Sequence, residues 1–340
     1  MKARLANRCA LVAAAVLLAS GSLVVGCGAP GDEGIAIESA TASLSDRLTA
    51  AGCDGHRADL LDRFYKHFAR GQARAVADML PRDATWHQIG WREDVVPFAG
   101  TYVGRKALQH FFSAYFAAVD VEDFAVEYTL ASGDYVNVHL RLVGRVRPTH
   151  QTFDAEFVHV WHFDSSGKPL FIRSYYETSL QVDAFTPGRG ASLADLKDPD
   201  DTFEVLPTSY DVEGMVRTLY DNFYVGNFPV ALAMAAPDVA IYFKGKGFPF
   251  AGEYHGLDGA MQFIYNLAGT AVPYQIDRFQ VTQGDRTDVV LFENWHVPST
   301  GKDFHVHTVN SWRVNADGKL MGFINYPDGD VMIDAYTPAE

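Results

Sequence analysis

The sequence predicts an α+β fold built twice: two cone-shaped, curved antiparallel sheets, each packed by about three helices, in a pseudo-twofold tandem. Three observations lead there. The segment Pro97-Phe98-Ala99-Gly100-Thr101-Tyr102-Val103-Gly104 returns as Pro249-Phe250-Ala251-Gly252-Glu253-Tyr254-His255-Gly256. Upstream, Tyr65, Phe68, Gly71 and Asp83 recur 155 residues later as Tyr220, Phe223, Gly226 and Asp238. Downstream, Gly133-Asp134, Phe153, Trp161, Gly167-Lys168 and Tyr175 recur 151 residues later as Gly284-Asp285, Phe304, Trp312, Gly318-Lys319 and Tyr326. Within each copy, helical periodicity comes first and long two-residue alternation follows, the order of a sheet covered by helices on one face. A period this long is a duplicated domain, not a solenoid repeat of roughly 20–50 residues.

The elements follow in order. From Ala58 to Ala69, Leu60, Leu61, Phe64, Tyr65 and Phe68 keep helical spacing, and Gly71 ends the run. A short helix over 72–80 stops at Pro81. Residues 84–88 read as a short strand and 105–119 as a third helix. From Tyr135, Val136, Val138, Leu140 and Leu142 alternate with Asn137, His139 and Arg141. Phe153 to Phe163 alternates likewise, Asp164-Ser165-Ser166-Gly167 is a turn, and Leu170 to Thr178 is the last strand. The second copy predicts helices over 212–225, 229–235 and 257–268, and strands over 239–244, 275–283, 286–298, 303–314 and 320–326. This gives domains over 51–187 and 209–340. A Gly-, Asp- and Pro-rich linker over 188–208 joins them.

The first 26 residues stand apart from the fold. Lys2, Arg4 and Arg8 precede a short apolar run, Leu11 to Val25, and small residues lead into Cys27. This is the pattern of a secretory signal. It resembles a bacterial lipoprotein signal, which implies acylation of Cys27 and an exported protein anchored to a membrane through its acyl chains. Residues 27–50 then read as a tether. Removing the signal takes away three cations and no acid, so the formal charge falls from −14 to −17. Such a chain repels phosphate backbones, which excludes nucleic acid as the expected partner. Cys9 leaves with the signal, so Cys53 has no intramolecular disulfide partner.

The order of elements, the Tyr-x-x-Phe-x-x-Gly helix end, the Pro-Phe-Ala-Gly-x-Tyr-x-Gly segment and the Gly-Lys hairpin together resemble the SnoaL-like polyketide cyclase branch of the ketosteroid isomerase-like superfamily. The resemblance spans nearly all of both copies. It implies a cone-shaped pocket and pairing of domains through outer sheet faces. Here the two copies would pair within one chain and behave as a monomer. It also implies where catalytic groups would lie. The three acid–base positions of the steroid isomerases fall on Phe64, Gln88 and His159 in the first copy and on Leu219, Phe243 and Asn310 in the second, so that chemistry is not expected. The cyclase histidine falls on His159. The cyclase acid on the last strand would require Glu177, whose strand parity points away from the cavity.

The candidate site residues are therefore His159, as general acid/base, with Trp86, Gln88, Trp161 and Tyr176 beside it. Phe243, Asn310 and Asn325 mark the second cavity. The second cavity row, Ile241, Phe243, Asn310, Trp312, Phe323 and Asn325, holds no titratable group, so any chemistry is assigned to the first copy. His305 and His307 share a strand face without a convincing third ligand, so no metal is expected. No phosphate loop, nucleophile elbow or cofactor motif is present, and no cofactor is expected. The leading expectation is a membrane-anchored protein that binds a small hydrophobic or aromatic molecule. The alternatives are a cofactor-free isomerase, cyclase or lyase using His159, with Gln88 orienting the substrate, or a structural module with filled cavities.

Overall fold

A computed structural model describes residues 43–50, 52–90, 92–189, 192–194 and 204–339. The signal segment, Cys27, most of the tether and part of the linker lie outside the described residues. The first repeat runs α1 (Leu44–Ala50), α2 (Gly55–Ala69), α3 (Ala73–Met79), β1 (Thr85–Gln88), β2 (Gly100–Val103), α4 (Arg105–Ala118), β3 (Val119–Ser132), β4 (Tyr135–Val146), β5 (Thr152–Phe163), β6 (Pro169–Tyr176) and α5 (Thr178–Phe185). A short β7 (Ser192–Ala194) pairs in parallel with β5. The second repeat follows as α6 (Val212–Tyr224), α7 (Phe228–Ala233), β8 (Ala235–Phe243), β9 (Gly252–His255), α8 (Gly256–Ala268), β10 (Val272–Gln283), β11 (Arg286–Val297), β12 (Lys302–Val314), β13 (Leu320–Tyr326) and α9 (Gly329–Tyr336).

The two sheets share one topology. Strand order is β2-β1-β6-β5-β4-β3 in the first and β9-β8-β13-β12-β11-β10 in the second. Each is mixed rather than wholly antiparallel, because β1 runs parallel to β6 and β8 parallel to β13. The helix between the short strands and the meander makes that parallel return possible. The repeated Pro-Phe-Ala-Gly motif has a backbone cause: Gly100 and Gly252 sit at φ 113° and 132°, values that L side chains avoid.

Three expectations need correction. Residues 44–50, read as the end of the tether, form α1, whose Leu48 is fully buried in the first core. Each repeat also ends in a helix, α5 and α9, so about three helices per sheet undercounts. Both are eight-residue segments with buried acids as well as apolar residues, which hides their periodicity. The linker is not all irregular, since it contains β7 and Leu206 donates its N–H to Asp285.

Helix α2 is fixed at its start by Asp54, whose carboxylate accepts from the Arg57 N–H, and α6 by Asp211 in the same way. Their apolar faces close the concave side of each sheet. The convex faces meet each other. Val158, Val160 and Tyr175 of the first sheet join Val290, Val309, Ile324 and Tyr326 of the second in one apolar cluster. Asn137 donates to Asp288 at 2.7 Å, and Leu130 packs with Val281. Each of these two pairs joins residues related by the 151-residue offset. Contact between equivalent residues is the mark of an isologous, twofold-like interface.

Two buried polar pairs cross this interface. His139 Nε2 lies 2.8 Å from Asp288, and both side chains are fully buried. Lys244 Nζ lies 2.9 Å from Glu156, also buried, with the Tyr326 ring 4.4 Å away. Further along the same outward rows, Arg141, Asn294 and His296 pair locally with Asp154, Gln275 and Asp303. Removing one member of a buried pair leaves a charge in a low-dielectric seam, at a cost of about 3–5 kcal/mol. Lys244→Met is therefore expected to lose roughly that much unfolding free energy in denaturant titration, with Lys244→Met/Glu156→Gln recovering most of it; an unchanged midpoint in the single variant would exclude this role.

Candidate functional site

The two cones have the same walls and different contents. In the first repeat, the Phe64 ring lies 6.0 Å from Trp86, 6.0 Å from Phe112 and 4.9 Å from Trp161. Phe157 packs on Tyr176 at 4.8 Å. What remains beside His159, Gln88 and Ser174 is about 10 Å³, about the minimum space for one water. In the second repeat the positions of Phe64, Trp86, Phe112 and Phe157 hold Leu219, Ile241, Ile264 and Thr308. A cavity of about 100 Å³ results, lined by these four residues with Phe243, Phe263 and Glu293 among others.

His159 illustrates the closure. Its Nδ1 lies 3.0 Å from the Tyr65 hydroxyl, which also accepts from Trp161 Nε1 at 2.9 Å. Trp86 packs edge-on at 5.2 Å. Burial pushes the imidazole down to about 3, so it stays neutral through the physiological range. Trp86 donates to Gln88 at 3.3 Å, and Tyr176 donates to Gln181 at 2.8 Å. The structure thus brings His159, Trp86, Gln88, Trp161 and Tyr176 together, but as a packed core. The expectation of a first-repeat pocket with His159 as acid/base is corrected: four aromatic rings occupy the space a substrate would need.

In the second repeat, Asn310 takes the place of His159. Its Nδ2 donates to Tyr220 at 2.7 Å and Trp312 Nε1 donates at 3.1 Å. Phe243, Asn310 and Trp312 line the cavity. Asn325, opposite Asn310 across β12 and β13, is fully buried behind it. Both its amide atoms and Asn310 Oδ1 lack hydrogen-bond partners among the described residues.

The residue that sequence reasoning missed is Glu293. It sits on β11 in the inward row Val289, Leu291, Glu293, Trp295 and Val297, where the first repeat has Leu142. Its side chain is buried, and Tyr224 donates to its Oε1 at 2.8 Å. Desolvation raises its carboxyl from 4.5 to about 7, opposed by hydrogen bonds from Tyr224 and Trp295. Burial, reinforced by Glu293, holds the Tyr224 phenol well above its ordinary range. The expectation that the second cavity holds no titratable group is therefore corrected. The signal was present: a carboxylate interrupting an apolar row of period two.

Other candidates fall elsewhere. His87 and His307 face each other between the repeats at 5.9 Å, and burial lowers them to about 4 and about 3. His305 bonds Asn294. Among the described residues, no group of three or more His, Cys, Asp or Glu side chains is placed to hold a metal ion. Cys53 is buried and its thiol is pushed up to about 11, chiefly by desolvation, which disfavours the reactive thiolate.

Two pH effects follow with opposite signs. His159 is neutral when folded and protonates when unfolded, so its contribution is lost as pH falls from about 6.5 towards 3. His159→Asn is expected to remove about 2–3 kcal/mol of the acid sensitivity at pH 4.5; an unchanged acid limb in calorimetry would refute it. Glu293 carries a raised value, so its ionisation opposes folding as pH rises from 4.5 through about 7. Glu293→Gln should gain about 3 kcal/mol on the wild type between pH 4.5 and 8; a pH-independent difference would show that the carboxyl is not desolvated.

Residues 61–168 match the SnoaL-like domain family. No curated protein matches the sequence. Solved structures with a similar fold include an NTF2-like protein from Burkholderia xenovorans LB400, 22% identical over 37% of this chain and 95% of its own, with a TM-score of 0.34. Another is an NTF2-like protein from Burkholderia thailandensis E264, 23% identical over 38% of this chain and 96% of its own, TM-score 0.34. A third is TerC co-crystallised with polyporic acid, 16% identical over 38% and 97%, TM-score 0.33. The stretch that matches the SnoaL-like domain lies in the first repeat, and the second repeat builds the same strand order from the same order of elements.

Proposed function

We propose that the protein binds a small, largely apolar molecule in the cone of the second repeat, while the first repeat serves as a filled structural partner. One observation carries this reading: the same cone is packed with aromatic rings in one copy and holds a cavity of about 100 Å³ in the other. An enclosed apolar cavity of ~150 Å³ is known to take up benzene; this one is smaller but open on one side, so the ligand is held to a single ring at its core. Glu293, Tyr224, Asn310 and Thr308 supply the few polar contacts that orient a ligand in such a site. The N-terminal pattern ending at Cys27 supports an exported protein held at a bacterial membrane by acylation, with the cavity presented from a folded body beyond the tether.

A second reading, a cofactor-free isomerase- or cyclase-type reaction, is favoured by Glu293. A carboxyl titrating at about 7 inside an apolar cavity suits proton transfer at neutral pH. In this reading Glu293, not His159, moves the proton.

The cavity can be closed with the residue its own sister repeat uses. p-Cresol is expected to bind the wild type with a Kd between about 1 μM and 1 mM, the range open to a ligand of this size, and to raise its melting temperature. Thr308→Phe should abolish both effects while leaving the fold intact by circular dichroism. Equal binding by wild type and Thr308→Phe would place the ligand elsewhere, and no binding by the wild type would count against the cavity as a site for single rings.

A further inference from the structure

Glu293 is a carboxylate surrounded by neutral donors and aromatic rings. Tyr224 and Trp295 hydrogen-bond to it, and Tyr220 lies close enough to feel its charge. Its neighbours across the sheet, Ile276 and Val306, carry no charge, and Thr308 beside them is neutral. His305 and His307 project from the opposite face of β12. The cation that faces this cluster is Arg278 of β10, 5.5 Å from the Tyr220 ring centroid and 5.8 Å from that of Tyr224. It is ion-paired to Asp221 of α6. Among the described residues no ion pair reaches Glu293. In the interface, by contrast, the buried Glu156 is neutralised by Lys244.

We infer that the ligand of the second cavity is a cation: a small hydrophobic ammonium compound whose charged head pairs with Glu293 inside the box of Tyr220, Tyr224, Trp295 and Trp312, its apolar body lying among Ile241, Phe263 and Phe323. The inference rests on the binding reading above and adds the chemical class. A desolvated carboxylate attracts an ammonium far more strongly than water allows. Electron-rich aromatic rings add cation–π attraction. A neutral ligand of the same shape would gain only the apolar part. At neutral pH, pairing holds Glu293 ionised, so the complex releases the proton that the carboxyl retains without a ligand.

Benzyltrimethylammonium and neopentylbenzene test this directly, being isosteric and differing in charge; neither titrates, so any pH dependence belongs to the protein. Isothermal titration of the full folded chain at pH 8.5 is expected to show the ammonium binding at least tenfold tighter than neopentylbenzene. Its affinity should fall about tenfold per pH unit below 7, with neopentylbenzene unaffected. At pH 7, measurements in buffers of different ionisation enthalpy should show proton release. Glu293→Gln should lose most of the ammonium's advantage over neopentylbenzene and all of its pH dependence. Wild-type protein that binds neopentylbenzene as tightly as the ammonium at pH 8.5, or takes up a proton on binding the ammonium, would overturn the charge assignment while leaving the cavity reading standing. Failure of the wild type to bind either compound would overturn both.

Discussion

The packing of two convex sheet faces against each other is the constraint from which the rest follows. A β-strand sends alternate side chains to opposite faces, so burying one face on helices and the other on a second sheet leaves no freedom of register. Even-numbered residues of β11 (Asp288, Val290, Phe292) face the other repeat, and odd-numbered residues (Val289, Leu291, Glu293, Trp295) face the cone. The interface holds both the apolar cluster and the matched pairs His139–Asp288 and Lys244–Glu156. Equivalent residues Asn137 and Asp288 contact each other yet differ in charge, so the duplication has diverged at its own axis. A symmetric pair of aspartates there would place two like charges in contact in a dry seam, which is costly.

Once the two repeats support each other, their interiors need not be alike. The first cone holds Phe64, Trp86, Phe112 and Phe157, aromatic side chains that each bury a large area; the first three interlock in stacked and edge-on contacts. The second replaces all four with smaller groups. Losing that much packing from a domain standing alone is expensive. Here the second sheet is covered on its far side by a well-filled partner, which offsets part of the loss. This division of labour explains why His159, at the position where the resemblance implies catalysis, is closed in, while the copy without a histidine keeps space.

Much of this was legible in the sequence. The duplication, the order of elements and the inward direction of Trp86, Gln88, His159 and Asn310 follow from period-two and helical patterns, and the pairing of the repeats from the family resemblance. What was misjudged depended on volume and on long-range meeting points. The exchanges of Trp86 for Ile241 and Phe157 for Thr308 are visible in one line of sequence, but their combined effect requires knowing that Trp86, packed on Phe64 and Phe112, lines the same space as Phe157. Glu293 lies on β11, away from the strands where the resemblance implies catalytic groups, so only its interruption of an apolar row marks it in the sequence. The helices α1, α5 and α9 are short and dock by single turns, so tertiary packing rather than periodicity creates them.

Two buried carboxylates in one chain make the final comparison. Glu156 in the interface is neutralised by Lys244 at 2.9 Å, an arrangement that serves structure and fixes how the repeats mate. Glu293 in the cavity has phenol and indole donors alone, and burial moves it to about 7. Ionised at pH 8, it opposes folding by about 3 kcal/mol, a large share of the roughly 5–15 kcal/mol by which a domain is stable. The first repeat shows that the fold does not require it, since Leu142 occupies the same place without that penalty. A residue that is structurally dispensable, costly when charged and exposed to a cavity is explained by what it contacts there, and its chemistry narrows that contact to a proton or a cation.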